Sequence, residues 1–276
     1  AETGDPDSYA EIQAELMGRF RMTGSQVQAG LFRLLTNRCS NGPDQRPGFV
    51  DVAKVEHLDH LVPGFIAANE QTLLHAPKGT GKTLAALALA RAVVTGTPLL
   101  DQGTPPPAGR VLYLATDSGC ASMHTQMQEL GLLELPEFQH GHPNQRFFIR
   151  GHAAEQGVSP WEATIEEILW LIGAIRRERF DMVIIDSAKA TLSLTDVDYT
   201  DNKAVGALLT LFQRVIAPSC AVLWLHHDGR ESGHNAGAKA WAEIPVIVHR
   251  LERLQETPQK PRHRGAAGPD DDDANK

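Results

Sequence analysis

An α/β fold, with a mostly parallel sheet and helices on both of its faces, is predicted by three features of the sequence. Short apolar runs typical of buried strands alternate with longer segments of helical periodicity along most of the chain. A glycine-rich loop stands between the first of these runs and an alanine-rich helical segment. The run Met182–Asp186 is apolar up to its final aspartate, which indicates a strand buried on both faces.

Length and composition indicate one main domain. The chain has 276 residues, of which 42% are hydrophobic, so it can bury one sizeable core. We predict a helical appendage and linker over residues 1–49, a single α/β domain over residues 50–256, and a disordered charged tail over residues 257–276. Residues 8–20 and 24–38 both have helical periodicity. They could form a helix-turn-helix fragment, but an appended packing element is the favoured interpretation.

The cysteines and the hydropathy pattern exclude several classes of protein. Cys39, Cys120 and Cys220 have neither paired nor metal-type spacing, which favours reduced thiols in a cytoplasmic protein. No apolar run approaches the ~18 residues that a membrane span needs. The first residues, AETGDPDS, lack the features of a signal peptide. We expect either that the chain was cut from a longer polypeptide or that these residues come from a vector.

The chain is acidic, which bears on nucleic-acid binding. The formal net charge is −8, and four of the negative charges belong to Asp270, Asp271, Asp272 and Asp273, so the rest of the chain carries −4. Such a chain does not wrap DNA along its outer surface, but it can hold DNA with a few basic loops in a channel.

Secondary structure is predicted from apolar periodicity and from capping signals. Strands are expected at residues 71–75, 110–115, 146–150, 182–186, 221–227 and near 246–251. Helices are expected at residues 83–94, 121–132, from Ser159 to about Arg177, and 202–216. The third helix is placed by Ser159-Pro160-Trp161-Glu162, which has a serine cap, a proline at the first helical position and a glutamate three residues after the cap.

The glycine-rich loop is a phosphate-binding motif, or P-loop. It consists of Ala76, Pro77, Lys78, Gly79, Thr80, Gly81, Lys82 and Thr83, and departs from the usual pattern only by alanine at its first position. Small residues let successive backbone N–H groups surround phosphates, and the following helix presents its N-terminus to them. Lys82 is expected to reach the β- and γ-phosphates, and the hydroxyl of Thr83 to bind Mg²⁺.

The strand that ends at Asp186 is the expected partner of the P-loop. An aspartate at the C-terminal end of a buried strand, ~100 residues after a P-loop, matches a Walker B carboxylate that holds Mg²⁺ through water. ATP and Mg²⁺ are therefore the predicted ligands.

The chain resembles the RecA-like ATPases and, among them, the RepA-type hexameric replicative helicases of phages and plasmids. The resemblance covers residues 50–254 and rests on five segments in order: VPGFIAANEQTLLHAPKGTGKT, GRVLYLATD, DMVIID, AVLWLHHDGR and GHNAGAKAW. It implies a RecA-like core that hydrolyses ATP between subunits of a ring, on single-stranded DNA, in a bacterial or phage-infected cytoplasm. A primase or another replication protein is the further partner that it implies.

The resemblance assigns roles to three further residues. Asp117 stands where the family has a catalytic glutamate that orients water; it is one methylene shorter, so hydrolysis is expected to be slow or to need a closed interface. A solvated strand-end aspartate is the alternative. The family also has a polar sensor at the end of the strand after Walker B. Of His226 and His227, which point to opposite faces, His227 is favoured, and a shared metal ion is disfavoured.

The third role is a cation donated across the subunit interface. The family's arginine falls on Ala236 in this chain, which leaves Lys239 as the first candidate; an exposed, solvated lysine is the alternative interpretation. Arg230, Arg250 and Arg253 are the other candidates.

Two loops complete the predicted site. The loop at residues 229–237 is expected to face DNA. The acidic loop at residues 194–202 lacks the glycine and terminal glutamate of a calcium loop, and is interpreted as a loop that ends in a helix cap.

The sequence thus predicts an ATP-driven motor on DNA, and two alternatives remain. One is a slow ATP-switched oligomer on DNA, such as a loader or recombination mediator, which the departures at Asp117 and Ala236 favour. The other is a P-loop kinase for a small molecule, although the sequence has no arginine-rich lid segment.

Overall fold

A computed structural model describes residues 23–39, 58–99, 103–117, 119–151, 160–193, 195, 197–228 and 238–252. Its helices are α1 (Gly24–Cys39), α2 (Lys82–Thr95), α3 (Cys120–Glu129), α4 (Ile165–Glu178), α5 (Asn202–Leu211) and α6 (Ala240–Glu243). Its strands are β1 (His60–Val62), β2 (Ile66–Ala67), β3 (Gln71–Ala76), β4 (Val111–Ala115), β5 (Phe147–Gly151), β6 (Met182–Asp186), β7 (Ala221–His227) and β8 (Ile247–Arg250). The predicted helix at residues 8–20, the linker at 40–49 and the tail at 257–276 lie outside the described residues.

Six strands form one parallel sheet in the order β5-β4-β6-β7-β3-β8. The predicted α/β fold is confirmed, and the six predicted strands agree with the observed ones to within one residue at each end. Strand β7 lies between the P-loop strand β3 and β6, which ends at Asp186. Because parallel strands end at the same edge, the P-loop, Asp186 and the histidines of β7 meet there.

The sheet separates two apolar layers. One layer contains Leu87 of α2 together with Tyr113 and Ile184 of the sheet. The other layer joins α1, α4 and α5 to the opposite face, around the fully buried tryptophans Trp161, Trp224 and Trp241. No helix in the described part of the chain has the length and apolar character needed to cross a bilayer.

Helix α1 packs against the core of the domain. Its Ala29 and Phe32 are buried in the same cluster as α5. The hydroxyl of Ser25 donates a 2.6 Å hydrogen bond to Asp201, which in turn caps α5 by accepting from the backbone N–H groups of Lys203 and Ala204. The predicted helix cap at the end of the acidic loop is therefore confirmed.

The antiparallel pair β1–β2 was missed by the sequence analysis. Its turn is Val62-Pro63-Gly64-Phe65, in which Phe65 N–H donates to Val62 C=O and Gly64 has φ of 75°. Proline at the second position and a glycine with positive φ at the third are typical of a type II turn. The Pro-Gly pair was thus an available signal, but strands of three and two residues are too short to show alternation.

The predicted start of the third helix is wrong: Ser159 lies outside the described residues, but residues 160–164 are described and are not helical. Helix α4 begins at Ile165, and Thr164 is its cap, with the side-chain oxygen accepting from Glu167 N–H. Trp161 is instead buried in the core, and Ala163 N–H donates to Thr191 C=O. Tertiary contacts therefore hold this segment extended, and a second Thr-x-x-Glu pattern starts the helix one turn later.

Replacement of the observed cap tests this boundary. Thr164→Ala should lower the free energy of unfolding by about 1 kcal/mol, because one backbone N–H of α4 loses its acceptor. Ser159→Ala, at the residue that the sequence pattern nominates, is the control and should change stability little. Chemical denaturation of both variants measures the difference, and a larger loss from Ser159→Ala would contradict the observed boundary.

Candidate active site

The P-loop connects the end of β3 to the start of α2. Gly79 and Gly81 have φ of 76° and 100°, a left-handed conformation that glycine adopts without steric cost. The loop therefore has the strand–loop–helix form that directs backbone N–H groups and a helix N-terminus at one point in space. This is the form that phosphate binding requires.

Lys82 bends back over its own loop. Its Nζ donates to the carbonyl oxygens of Ala76 at 2.7 Å and Pro77 at 3.0 Å. Burial lowers the pKa of Lys82, while the nearby carboxylates of Asp186, Asp228 and Asp117 act in the opposite direction. The Lys82 ammonium therefore lies against the backbone of the P-loop and near three carboxylates.

Asp186 is a buried carboxylate with two hydroxyl donors. Its Oδ2 accepts a 2.8 Å hydrogen bond from Thr83 and a 2.7 Å hydrogen bond from the hydroxyl of Tyr113. Burial raises the pKa of Asp186, and the two hydrogen bonds act against that rise. Asp186 and Thr83 were predicted from the sequence, whereas Tyr113, whose side chain is fully buried one strand away, was not.

Asp117 and His227 lie on the same side of the sheet as α2. His227 follows Leu225 on the face that packs against Leu87, since alternate residues of a strand share a face. The His227 Nε2 and Asp117 Oδ2 atoms are 3.6 Å apart. Asp117 N–H donates to the carbonyl oxygen of Asp186, so the backbone at the end of β4 is tied to the end of β6.

His226 points to the other layer, where its ring centroid lies 5.2 Å from that of Trp241. Its Nδ1 lies 2.8 Å from the carbonyl oxygen of His227, and because a carbonyl only accepts, this nitrogen carries the proton. Burial lowers the pKa of His226 to about 4, so the ring is neutral at physiological pH. The structure therefore places His227, and not His226, beside Asp117.

Two cavities border the P-loop. A cleft of about 1090 Å³ holds Asp117, His227, Asp228, Lys78 and Lys189 in its lining. A second cavity, of about 570 Å³, lies between the P-loop residues 77–80 and the end of β8, where Arg250 and Glu252 complete its lining. The P-loop therefore separates an acidic cleft from a cavity with an arginine and a glutamate.

Asp228 belongs to this site and was not singled out from the sequence. Its side chain is only 3% exposed; His75 Nδ1 donates to it at 2.7 Å, and Arg250 Nε lies 3.6 Å away. Its backbone N–H donates to Ala76 C=O, the same carbonyl that accepts from Lys82. The quoted segment AVLWLHHDGR contains Asp228, but only the sheet register brings it beside the P-loop.

The candidate interface cations fall in different places. Arg250 lines the cavity beside the P-loop of its own chain, and its role as an interface cation stays a prediction. Lys239 is exposed next to α6 and is not among the residues lining either cavity. Arg230, Ala236, Arg253 and the expected DNA-facing loop at residues 229–237 lie outside the described residues.

A comparison with protein families agrees with this geometry. The model of a family described as an AAA domain matches residues 38–233. The chain belongs to the AAA domain family. An AAA domain is a P-loop NTPase domain, so membership of this family implies nucleotide binding.

The Tyr113 hydroxyl gives this AAA domain a testable electrostatic feature. Tyr113→Phe removes a hydrogen bond that favours ionised Asp186, so the pKa of Asp186 should rise further. The acid limb of the ATPase pH–rate profile should then move to higher pH, and half-saturation by Mg²⁺ should need ~10-fold more ion.

Tyr199→Phe is the matched control, because it removes a tyrosine hydroxyl from the cleft without touching Asp186. An unchanged pH profile and unchanged Mg²⁺ dependence in Tyr113→Phe would show that the buried hydroxyl has no influence on the carboxylate.

Proposed function

We propose that this chain is a RecA-like ATPase that works on single-stranded DNA as part of a ring, in the manner of the RepA-type replicative helicases that it resembles. The observation that carries the proposal is the meeting of Asp186, Asp117 and His227, from three adjacent strands, beside Lys82 on one face of the sheet. A hydrolytic motor needs a group that binds phosphate, carboxylates that hold Mg²⁺ and orient water, and a sensor of the γ-phosphate.

The phosphates of ATP would be held by backbone N–H groups of the P-loop and by the Lys82 ammonium. The donor set formed by the Thr83 hydroxyl and the Asp186 carboxylate, 2.8 Å apart, consists of the oxygen ligands that Mg²⁺ prefers. When bound there, Mg²⁺ would neutralise charge on the phosphates. The hydrogen bond from Tyr113 would orient the carboxylate and favour its ionised form.

Asp117 would orient the attacking water and accept its proton as the water attacks the γ-phosphate. Its side chain is 55% exposed and borders the cleft, so a water can reach it. His227, whose Nε2 lies 3.6 Å from Asp117 Oδ2, would act as the sensor of the γ-phosphate. Because residues 229–237 follow the end of β7 along the chain, a change at the phosphate would be passed to them through His227.

The DNA part of the proposal is supported by the loop after β6. Lys189 lies over the ring of Tyr199 at 5.1 Å, and both line the cleft beside Asp117. A cation next to an aromatic ring is the combination with which proteins hold single-stranded nucleic acid. The resemblance adds the ring or hexamer and a primase or other replication protein as partners.

A slow ATP-switched oligomer on DNA is the second candidate. It is favoured by the weak restraint on Asp117, whose ion pair with His227 at 3.6 Å is longer than a hydrogen bond. An exposed and loosely held carboxylate orients water poorly until a neighbouring surface closes over it. Motor and switch therefore share the site and differ in turnover.

Asp117→Asn separates water activation from nucleotide binding. The amide keeps the shape but cannot accept a proton, so turnover should fall ~100-fold while ATP affinity is retained. Lys82→Ala is the comparison variant and should lose nucleotide-dependent activity altogether. Steady-state phosphate release and ATP titration measure the two effects, and normal turnover of Asp117→Asn would show that another residue of the cleft, such as Asp228, orients the water.

Assembly should complete the site, because charge on the γ-phosphate needs a cation from a neighbour. Turnover per subunit should rise with protein concentration, and single-stranded DNA should raise it further. Lys239→Ala should lose activity but keep ATP affinity, and mixing it with Asp117→Asn should restore part of the activity at mixed interfaces. Arg250→Ala should give no such rescue, because Arg250 lines the P-loop cavity of its own chain.

Light scattering and ATPase assays on the same samples measure this coupling. Turnover that is independent of concentration, unaffected by DNA and not rescued by mixing would exclude the ring. It would favour a P-loop kinase that works within one chain.

A further inference from the structure

A second charged groove lies away from the nucleotide site, between α1 and α5. Its volume is about 370 Å³. Small residues, Gly206 and Ala207 of α5, form part of its lining, and a methyl group added at Gly206 would come within 3.9 Å of Ala240 and Ile244. Because Gly206 has no side chain, the groove is open along this part of α5.

Three cations surround this opening: Arg33 from α1, Lys203 from the first turn of α5, and Arg214 just beyond its end. No acidic residue is among the lining residues. The nearest acid on these elements is Asp201, which lies within electrostatic range of Lys203 but is bonded to Ser25 and to the α5 backbone. Within the described part of the chain, neither Arg33 nor Arg214 has an ion-pair partner.

This concentration of positive charge is unusual for the chain, whose formal net charge is −8. The longest unbroken acidic run in the sequence is Asp270, Asp271, Asp272 and Asp273. Four adjacent carboxylates match a groove with two guanidinium groups and an ammonium, since guanidinium groups bind carboxylates through paired hydrogen bonds.

The chain between the groove and the acidic run at residues 270–273 is long enough for them to contact each other. Ile244 lines the groove and Glu252 follows eight residues later, so at most ~28 Å separates Glu252 from the groove. Seventeen residues lie between Glu252 and Asp270, and a chain of that length can reach up to ~56 Å, which exceeds the distance needed. Tethering at this distance gives the acidic run an effective concentration on the order of millimolar at the groove.

We propose that the groove between α1 and α5 binds the acidic run at residues 270–273 of the same chain. The bound run fastens α1 to the core, because Arg33 belongs to α1 and both Lys203 and Arg214 belong to the α5 region. This interaction is independent of the nucleotide site and of the proposed ATPase activity.

The lining of the groove favours an acidic peptide over nucleic acid. It contains no aromatic ring on which a base could stack, and stacking supplies much of the affinity for single strands. The remaining polar residues, Thr36, Asn37 and Thr210, can each bond to a carboxylate or to a peptide backbone.

Zero-length carbodiimide cross-linking of the full chain tests the proposal, because it joins a carboxylate to a lysine amine only when the two are in contact. Lys203 is the only lysine that lines the groove. We expect a cross-linked peptide between Lys203 and the run at 270–273, more abundant than any between that run and Lys78 or Lys239. In 1 M salt, where charges are screened beyond about 3 Å, it should disappear.

The double variant Arg33→Gln/Arg214→Gln keeps Lys203 but removes both arginines, and the cross-link yield should fall about fivefold or more. The matched control is Arg91→Gln/Arg176→Gln, which removes two exposed arginines from α2 and α4 and should leave the yield unchanged. Hydrogen exchange of α1 should accelerate in the first variant and not in the second. A fold check by circular dichroism accompanies both.

Three outcomes would overturn the proposal. Equal yields at Lys203, Lys78 and Lys239 would show non-specific contact. Cross-links that join isotopically labelled and unlabelled chains would assign the run to a neighbouring molecule. Protection of Lys203 from acetylation by an oligonucleotide, with no cross-link to residues 270–273, would assign the groove to nucleic acid.

Discussion

The site depends on one buried charge, the carboxylate of Asp186. Burial of a carboxylate raises its pKa and lowers the free energy of unfolding, unless hydrogen-bond donors stabilise the ionised form. Here the hydroxyl of Thr83, from the P-loop helix, and the hydroxyl of Tyr113, from the neighbouring strand, both donate to one oxygen. These two hydrogen bonds join α2 and β4 to the end of β6, so the donors that the carboxylate needs also set the shape of the site.

A second point of convergence is the carbonyl oxygen of Ala76 at the end of β3. It accepts from Lys82 Nζ and from the backbone N–H of Asp228. The P-loop is thereby joined to the end of β7, where His227 and the buried Asp228 lie on either side of the strand end. A displacement of Lys82 by nucleotide would free this carbonyl on one side only, and β7 would remain attached to the loop.

His226 and His227 point into different layers, on opposite faces of the sheet. His227 shares the nucleotide face with Asp117, whereas His226 is neutral and packed against Trp241 in the layer that contains α1 and α5. The cavities beside the P-loop have both carboxylates and cations in their lining, whereas the lining of the groove between α1 and α5 has cations and no acidic residue.

The sequence by itself determined the α/β class, the six parallel strands, the P-loop and the strand that ends at Asp186. These follow from local signals: apolar runs, glycines with a required conformation, and residue spacing. It also favoured His227 over His226, because His227 lies nearer the C-terminal edge of the strand, where ligands bind in open α/β sheets. Thr164 could have been read as a cap, but Ser159 offered the same pattern one turn earlier, and only the burial of Trp161 decides between them.

Tertiary structure alone decided which distant side chains share the site. Tyr113 lies 73 residues before its partner Asp186, and His75 lies 153 residues before Asp228, so no local pattern connects either pair. Arg250 belongs to its own P-loop only because β8 pairs with β3. Sheet order and register place these groups within hydrogen-bonding distance, and both depend on packing across the whole core, which residue spacing does not encode.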